Sequence, residues 1–268
     1  PKDTWTWDDF RTTVKATTVR NGDKTDIWGY DGSFTINWDI PSLLWSNGES
    51  VYQPGNNANV TIATPGALDL LQWYSDVRWK DKSAASPADQ TAQTALGFSL
   101  FQAGKAAVTF QCSWYIYQLT QIVKDKWAYD FVPPPLGTKT GTRRSWISSD
   151  AMILFDGSKN QDEAWQVMMF GSSKDMETAY LQGPNGMLQP CRLSLQQDWA
   201  KNVKDFVGKQ SAPSGNAQVD YYLKADDYSP TVQPFFADHA KAMESLQPVM
   251  DQVFKTGTAQ AKDAIPNA

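Results

Sequence analysis

The sequence predicts an α/β fold, rich in helix and poor in strand. Three observations carry that expectation. Several segments place apolar residues at the spacing of one helix face, behind recognisable caps. Only a few short apolar runs have strand length. No repeat of fixed period runs through the chain, which argues against a solenoid or propeller. At 268 residues the chain can bury a sizeable core, as one large domain or two lobes.

The first helix is expected in TWTWDDFRTTVKATT. Thr6 and Asp9 approximate a capping box, Asp8 and Asp9 suit the positive end of the dipole, and Phe10 and Val14 share a face. Residues 21–60, rich in Gly, Asn, Asp and Trp, read as loops with short helical pieces. Thr64-Pro65 begins a clearer helix, with Leu68, Leu71, Tyr74 and Val77 or Arg78 along one side. Residues 81–95 read as a polar connection or weak helix, Ala106–Gln111 as a short strand, and Ile116, Leu119 and Val123 as the apolar face of a helix. Tyr129–Val132 is expected as a strand ended by Pro133-Pro134-Pro135, a stiff run suited to a crossing between lobes. Ala151–Phe155 reads as a buried strand, after which Ser158 or Asn160 caps a helix carrying Ala164, Val167, Met168 and Phe170. The remainder is expected to be mostly helical. One helix starts near Ser172–Ser173 and stops at Gly183, and others carry Leu195, Trp199, Val203 and Phe206, then Phe236, Ala240, Met243, Leu246, Val249 and Val253.

The composition excludes some functions. A 41% hydrophobic and 20% charged chain fits an ordinary globular protein. No apolar run approaches the ~20 residues of a membrane helix. The opening PKDTWTWDDF has neither the basic start nor the apolar run of a secretory leader, so the chain is expected either to be cytosolic or to lack its original beginning. Net charge is −5 and only Arg143–Arg144 are adjacent cations, so no nucleic-acid partner is expected. Two cysteines, Cys112 and Cys191, are too few for a thiolate metal site; they could form one disulfide or remain two buried thiols. No metal or other cofactor is expected. The GK at Gly104–Lys105 is not a phosphate loop, because the preceding Gly97 stands too far upstream and Ala106 replaces the hydroxyl residue. The 12 tryptophans serve as core fillers, and they also suit carbohydrate, whose C–H face lies flat on an indole.

Several stretches, in order, resemble the extracellular solute-binding proteins of ABC sugar importers, the maltose-binding-protein-like group. Pro1 with TWTWDDF is similar to that family's P-x-TW-D-E-F opening. Asp26-Ile27-Trp28-Gly29-Tyr30, Trp38 and NGE at 47–49 resemble its WG…W…GG block. FQAGKAAVTFQCSWY resembles the F-x-x-GK-A-A-M-x-x-x-G-x-W segment, RRSWISSDAMILFDGSKNQDEAW its strand and following helix, and Gly186–Arg192 its G-x-x-P-x-R loop. The resemblance implies a two-lobed, periplasmic-binding-protein-like α/β fold, without the first part of the N-terminal lobe. Residues 1–132 would be the first part of the second lobe, 133–186 a returning segment of the N-terminal lobe, and 187–268 the rest of the second lobe. It also implies an ABC permease as partner, a monomer, closure by hinge bending, and a periplasmic or cell-surface lipoprotein location.

Carried over residue by residue, the resemblance places Trp114 on the tryptophan that stacks on a sugar ring, after a strand and at the start of a helix. Tyr115 stands beside it. Trp146, with Ser149 and Asp150, would lie near the interlobe cleft, and Met187 and Arg192 in the loop back to the second lobe. Phe34, Asn37 and Trp38 occupy the block of aromatic ligand contacts, with the cleft-facing one among them open. Each has a plainer reading: a core or anchoring tryptophan, or an arginine in a structural ion pair. The rival function is a glycoside hydrolase, which needs two carboxyl groups roughly 5–9.5 Å apart. The 29 acidic residues single out no such pair. The lone His239 on a helix face, with no H-E-x-x-H and no G-x-S-x-G, argues against hydrolytic triads and zinc proteases. A lectin-like module would more often be all-β. The sequence therefore points to sugar binding without catalysis.

Overall fold

The computed structural model describes residues 2–93, 99–124, 126–147, 151–182, 188–210, 218–224, 231–232 and 237–268. They divide into two units. Unit 1 is Pro1–Phe110 with Pro133–Ile147 and Asp226–Ala268; unit 2 is Gln111–Val132 with Ser148–Ala225.

Unit 1 runs α1 (Trp7–Thr17), β1 (Val19–Asn21), β2 (Lys24–Asp31), α2 (Ile40–Ser46), β3 (Tyr52–Gln53), β4 (Asn56–Val60), α3 (Pro65–Trp79), α4 (Pro87–Gln93) and β5 (Ala106–Thr109). Helix α1 starts at a complete capping box. The Thr6 hydroxyl accepts from the Asp9 amide at 3.2 Å, and the Asp9 carboxylate accepts from the Thr6 amide at 2.8 Å. Strands β1 and β2 form an antiparallel hairpin turning at Gly22, whose φ is +60°. This corrects the loop reading of residues 21–60; the Asn21-Gly22 pair was the hairpin signal within a loop-like composition. Strand β2 then pairs in parallel with β5, Trp28 opposite Ala106 and Tyr30 opposite Val108, giving the sheet order β1-β2-β5.

Gly29 explains how α1 lies on this sheet. A Cβ there would sit 1.8 Å from the Val14 carbonyl oxygen, so only glycine lets the helix backbone approach β2. Across the core, α3 starts at Thr64, whose hydroxyl accepts from the Ala67 amide at 3.3 Å, and buries Leu68, Leu71, Tyr74, Val77 and Arg78. Residues 133–147 are knitted to the start of α1 and the end of α2. Trp5 Nε1 donates to the Pro133 carbonyl at 2.8 Å, and the Ser46 hydroxyl accepts from the Arg144 amide at 3.0 Å.

Unit 2 contains α5 (Tyr115–Val123), α6 (Gln161–Gly171), α7 (Lys174–Gln182), α8 (Leu193–Gln210) and α9 (Asp220–Leu223). Its core centres on fully buried Trp199, with Leu195, Val203 and Val207 from α8 and Ile116 and Leu119 from α5 also buried. A file of edge-to-face aromatic contacts runs Trp127, Tyr129, Phe131, Tyr222, Trp199. Among the described residues unit 2 has no strand. Two short strands, β6 (Trp146–Ile147) and β7 (Thr231–Val232), pair in parallel within unit 1. The chain ends with α10 (His239–Asp251), a wide turn at Gln252–Thr256, and the short α11 (Ala261–Ala264).

The structure corrects two expected strands. Tyr129–Val132 carries no strand assignment; the Asp130 carboxylate within it accepts from Gln218 at 2.9 and 3.1 Å. Ala151–Phe155 is neither paired nor buried. Among the described residues no strand lies in the same unit as either run, and a strand exists only where a neighbour completes its ladder.

Candidate functional site

Strands β2 and β5 run parallel, so the chain leaves both at the same sheet edge. Ligands of open α/β folds are held outside the carboxyl ends of parallel strands. After β2 that edge carries the loop 32–39, and after β5 it carries Phe110. Trp38 joins the two, since its Nε1 donates to the Phe110 carbonyl at 3.1 Å. Trp38 and Asn37 are both half-buried.

Under the loop lies a buried polar knot. The fully buried Asp39 carboxylate accepts from the amides of Phe34 and Thr35 at 2.8 and 2.9 Å, from the Tyr74 hydroxyl at 2.8 Å and from the Tyr30 hydroxyl at 3.1 Å. Those bonds hold Phe34 in the left-handed region at φ +54°, a conformation a phenylalanine adopts only when its surroundings impose it. Burial, reinforced by the Asp39 charge, pushes both phenols well above their ordinary pKa. Arg78 closes the other side. Its guanidinium lies 3.9 Å from the centre of the Phe34 ring and donates to the carbonyls of Phe254 and Gly32 at 2.7 and 3.2 Å. Burial lowers the Arg78 pKa to about 10.

This geometry sorts the expected site residues. Phe34 is corrected: at 3% exposure, with its ring stacked on Tyr74 at 4.4 Å, it belongs to the core under the loop. Asn37 and Trp38 remain on the loop itself. In unit 2, Trp114 occupies the cap position of α5, 40% exposed and edge-on to buried Tyr115. Arg192 is engaged structurally, with its Nε 3.4 Å from Glu177 Oε1 and a terminal nitrogen donating to the Ser172 carbonyl at 2.5 Å. Cys112 and Cys191 are both free thiols, so the disulfide is not formed. Burial raises the Cys112 thiol to about 12, which leaves it unreactive near neutral pH. The Trp146 side chain, Ser149, Asp150 and Met187 lie outside the described residues. No metal-binding cluster occurs among the described residues. The sequence reading missed Asp39, Tyr30, Tyr74 and Arg78 as the support of the loop. Asp39-Ile40-Pro41, an acidic residue just ahead of a helix-starting proline, was the available signal.

Residues 2–178 match the family model of bacterial extracellular solute-binding proteins, which is well over half of the chain. The chain belongs to that family. Three curated binding proteins, from two Brucella abortus strains and Brucella suis, are each 25% identical over 164 residues, covering 61% of this chain and 38% of their own length. Among solved structures, an ABC substrate-binding protein of Listeria monocytogenes in complex with cycloalternan aligns with a TM-score of 0.75 at 18% identity, over 100% of this chain and 62% of its own. The maltose/maltodextrin-binding domain of Bdellovibrio bacteriovorus bound to maltotriose gives 0.71 at 18% identity, over 97% and 63%. A Thermotoga lettingae ABC solute-binding protein bound with α-D-tagatose gives 0.70 at 15%, over 99% and 63%. The solute-binding fold is thus shared along the whole chain, which spans less than two thirds of these structures.

Proposed function

We propose that residues 1–268 are the larger part of the substrate-binding component of an ABC importer, and that its cargo is a mono- or oligosaccharide. The observation that carries this reading is an indole left 40% exposed at the start of a helix in a chain of this family. The solved neighbours named above hold cycloalternan, maltotriose and tagatose, which supports a carbohydrate. Trp114 offers a flat apolar face to the C–H surface of a pyranose, and Trp38 and Asn37 offer an aromatic edge and an amide for hydroxyls. Trp146, Tyr115, Ser149, Asp150, Met187 and Arg192 complete the proposed set, Arg192 only in so far as its ion pair releases it.

In this reading the sugar sits between two lobes, and its additional contacts in the closed state shift a hinge equilibrium toward closure. A permease recognises that state outside the cytoplasm, where the protein acts as a monomer, free or lipid-anchored. No covalent step is required. The lobe division is residues 1–132 and 187–268 against 133–186. It shares its break before Pro133 with the two compact units, whose other breaks fall at Phe110, Ile147 and Ala225.

The test is a tryptophan-fluorescence titration with a panel of mono- and oligosaccharides, the same tubes being assayed for shortened products. A saturable change with intact sugar is expected, and Trp114→Ala should weaken it about tenfold or more, ~1.4 kcal/mol per decade. An unchanged affinity in Trp114→Ala would remove the stacking assignment. Shortened sugar would make the protein a glycoside hydrolase instead.

A further inference from the structure

The sequence holds three Asn-Gly pairs, at 21–22, 47–48 and 185–186, the last outside the described residues. Such a pair carries its own chemistry. With no side chain on the second residue, its backbone nitrogen can close on the asparagine Cγ. The N–Cγ bond forms and the bond from Cγ to the side-chain nitrogen breaks. That nitrogen leaves as ammonia, taking the proton of the attacking N–H. Water then opens the cyclic imide at either carbonyl, giving aspartate or isoaspartate. The closure needs a side chain free to swing, an N–H with no acceptor, and a chain free to turn between the two residues.

The two described pairs meet these needs in opposite ways. Asn47 is half-buried and caps the end of α2. Its Nδ2 donates to the Leu43 carbonyl at 2.8 Å, and its Oδ1 accepts from the Thr138 amide at 3.1 Å. The Gly48 N–H donates to the Trp45 carbonyl at 3.2 Å, and the next amide, of Glu49, donates to the Leu44 carbonyl at 2.9 Å. Both atoms that would join are therefore held elsewhere. Asn21 ends the wholly exposed β1, and neither its side chain nor the Gly22 N–H has a hydrogen-bond partner among the described residues. A Cβ on Gly22 would meet nothing within 4 Å, so the imide ring has room. Asn21 opposite Lys24 is the last rung of a three-residue strand whose register already slips between Val19 and Arg20, so turning the link disturbs only a strand end. We propose that Asn21 is a site of spontaneous deamidation in the folded protein, and that Asn47 is kept intact by its capping bonds. The flanking residues do not explain the difference, since a carboxylate residue, Asp23 or Glu49, follows each pair. Conversion adds a negative charge to a chain of net charge −5. The isoaspartate product also adds a methylene to the backbone, taking residue 21 out of register with Lys24.

The experiment ages the protein in mildly alkaline buffer, once folded and once in concentrated urea. The peptides holding each pair are then resolved by liquid chromatography and mass spectrometry, with isoaspartate read by enzymatic carboxyl methylation. In the folded protein Asn21 should convert about tenfold faster than Asn47 or more, and in urea the two rates should come within about threefold of each other. Asn21→Gln should leave its peptide free of isoaspartate. Equal rates in the folded protein, or no conversion at Asn21, overturn the proposal. A ratio that survives in urea overturns it too, because flanking sequence would then set the rates. Isoaspartate persisting in the Asn21→Gln peptide places the reaction at another residue and removes Asn21 as the site.

Discussion

Unit 1 and unit 2 solve the same problem to different extents. In unit 1 the apolar faces predicted for the first two helices find cover. The inner side of α3 meets buried Phe34 and Phe254, α1 lies on β2, and even the buried charge of Asp39 has a donor for every oxygen position it presents. In unit 2 the α8 face closes around Trp199, while α6 and residues 151–155, equally apolar, remain in solvent. Hydrophobic pattern states what a segment needs, and only a partner element can meet the need.

The largest effect that would sharpen this contrast is expected from Asp39→Ala. It leaves two backbone amides and one phenol without an acceptor, since the Tyr30 and Tyr74 hydroxyls are 2.9 Å apart and one can still donate to the other, at about 1–3 kcal/mol for each group that stays dry. We expect a loss on the order of 4 kcal/mol by urea denaturation, with amide protection lost in unit 1 and retained around Trp199. Equal loss around Trp199 would mean that the two units unfold as one body, and the contrast would fail.

Gly29→Ala is next. Its Cβ would collide with the Val14 carbonyl, so α1 must lift from β2, at a cost of about 3 kcal/mol in the same assay. A neutral result would show that α1 is not seated where the sheet places it.

The smallest effect concerns alkaline pH. Tyr30 and Tyr74 have folded-state pKa values raised well above 10 by burial and then by Asp39. Above about pH 10 the unfolded chain releases these protons and the folded chain keeps them. Their stabilising contribution is therefore complete below pH 10 and declines as pH rises toward the folded values. The urea midpoint should fall between pH 9.5 and 10.5, by at most ~1.4 kcal/mol per tyrosine over a full pH unit. Tyr74→Phe should flatten that slope, and an unchanged slope would mean that the phenols are not sealed from water.

Part of the fold was legible in the residues. The box at Thr6 and Asp9, the cap at Thr64 and the spacing of Leu68, Leu71, Tyr74 and Val77 are local signals, readable within one or two helical turns. So was the short strand ahead of Trp114, because AAVT is bounded by Gly104 and followed by a helix-spaced run. The hairpin at Gly22 was hidden by a composition typical of loops. Of the candidate site, the exposed indole at Trp114 and the ion pair of Arg192 were within reach of the sequence, but the inward turn of Phe34 was not. That turn depends on Asp39, five residues on, meeting Tyr74 from a distant helix.

The sequence by itself determined the helices, their caps, the family and the type of residue available to a ligand, because these depend on neighbours along the chain and on motifs in order. Tertiary structure alone decided which apolar runs became strands, which ring of the 34–38 loop turned inward and whether the two cysteines met. The physical reason is that a ladder partner, a shared acceptor or a covering surface comes from residues far away in sequence, and no local pattern records whether it is there.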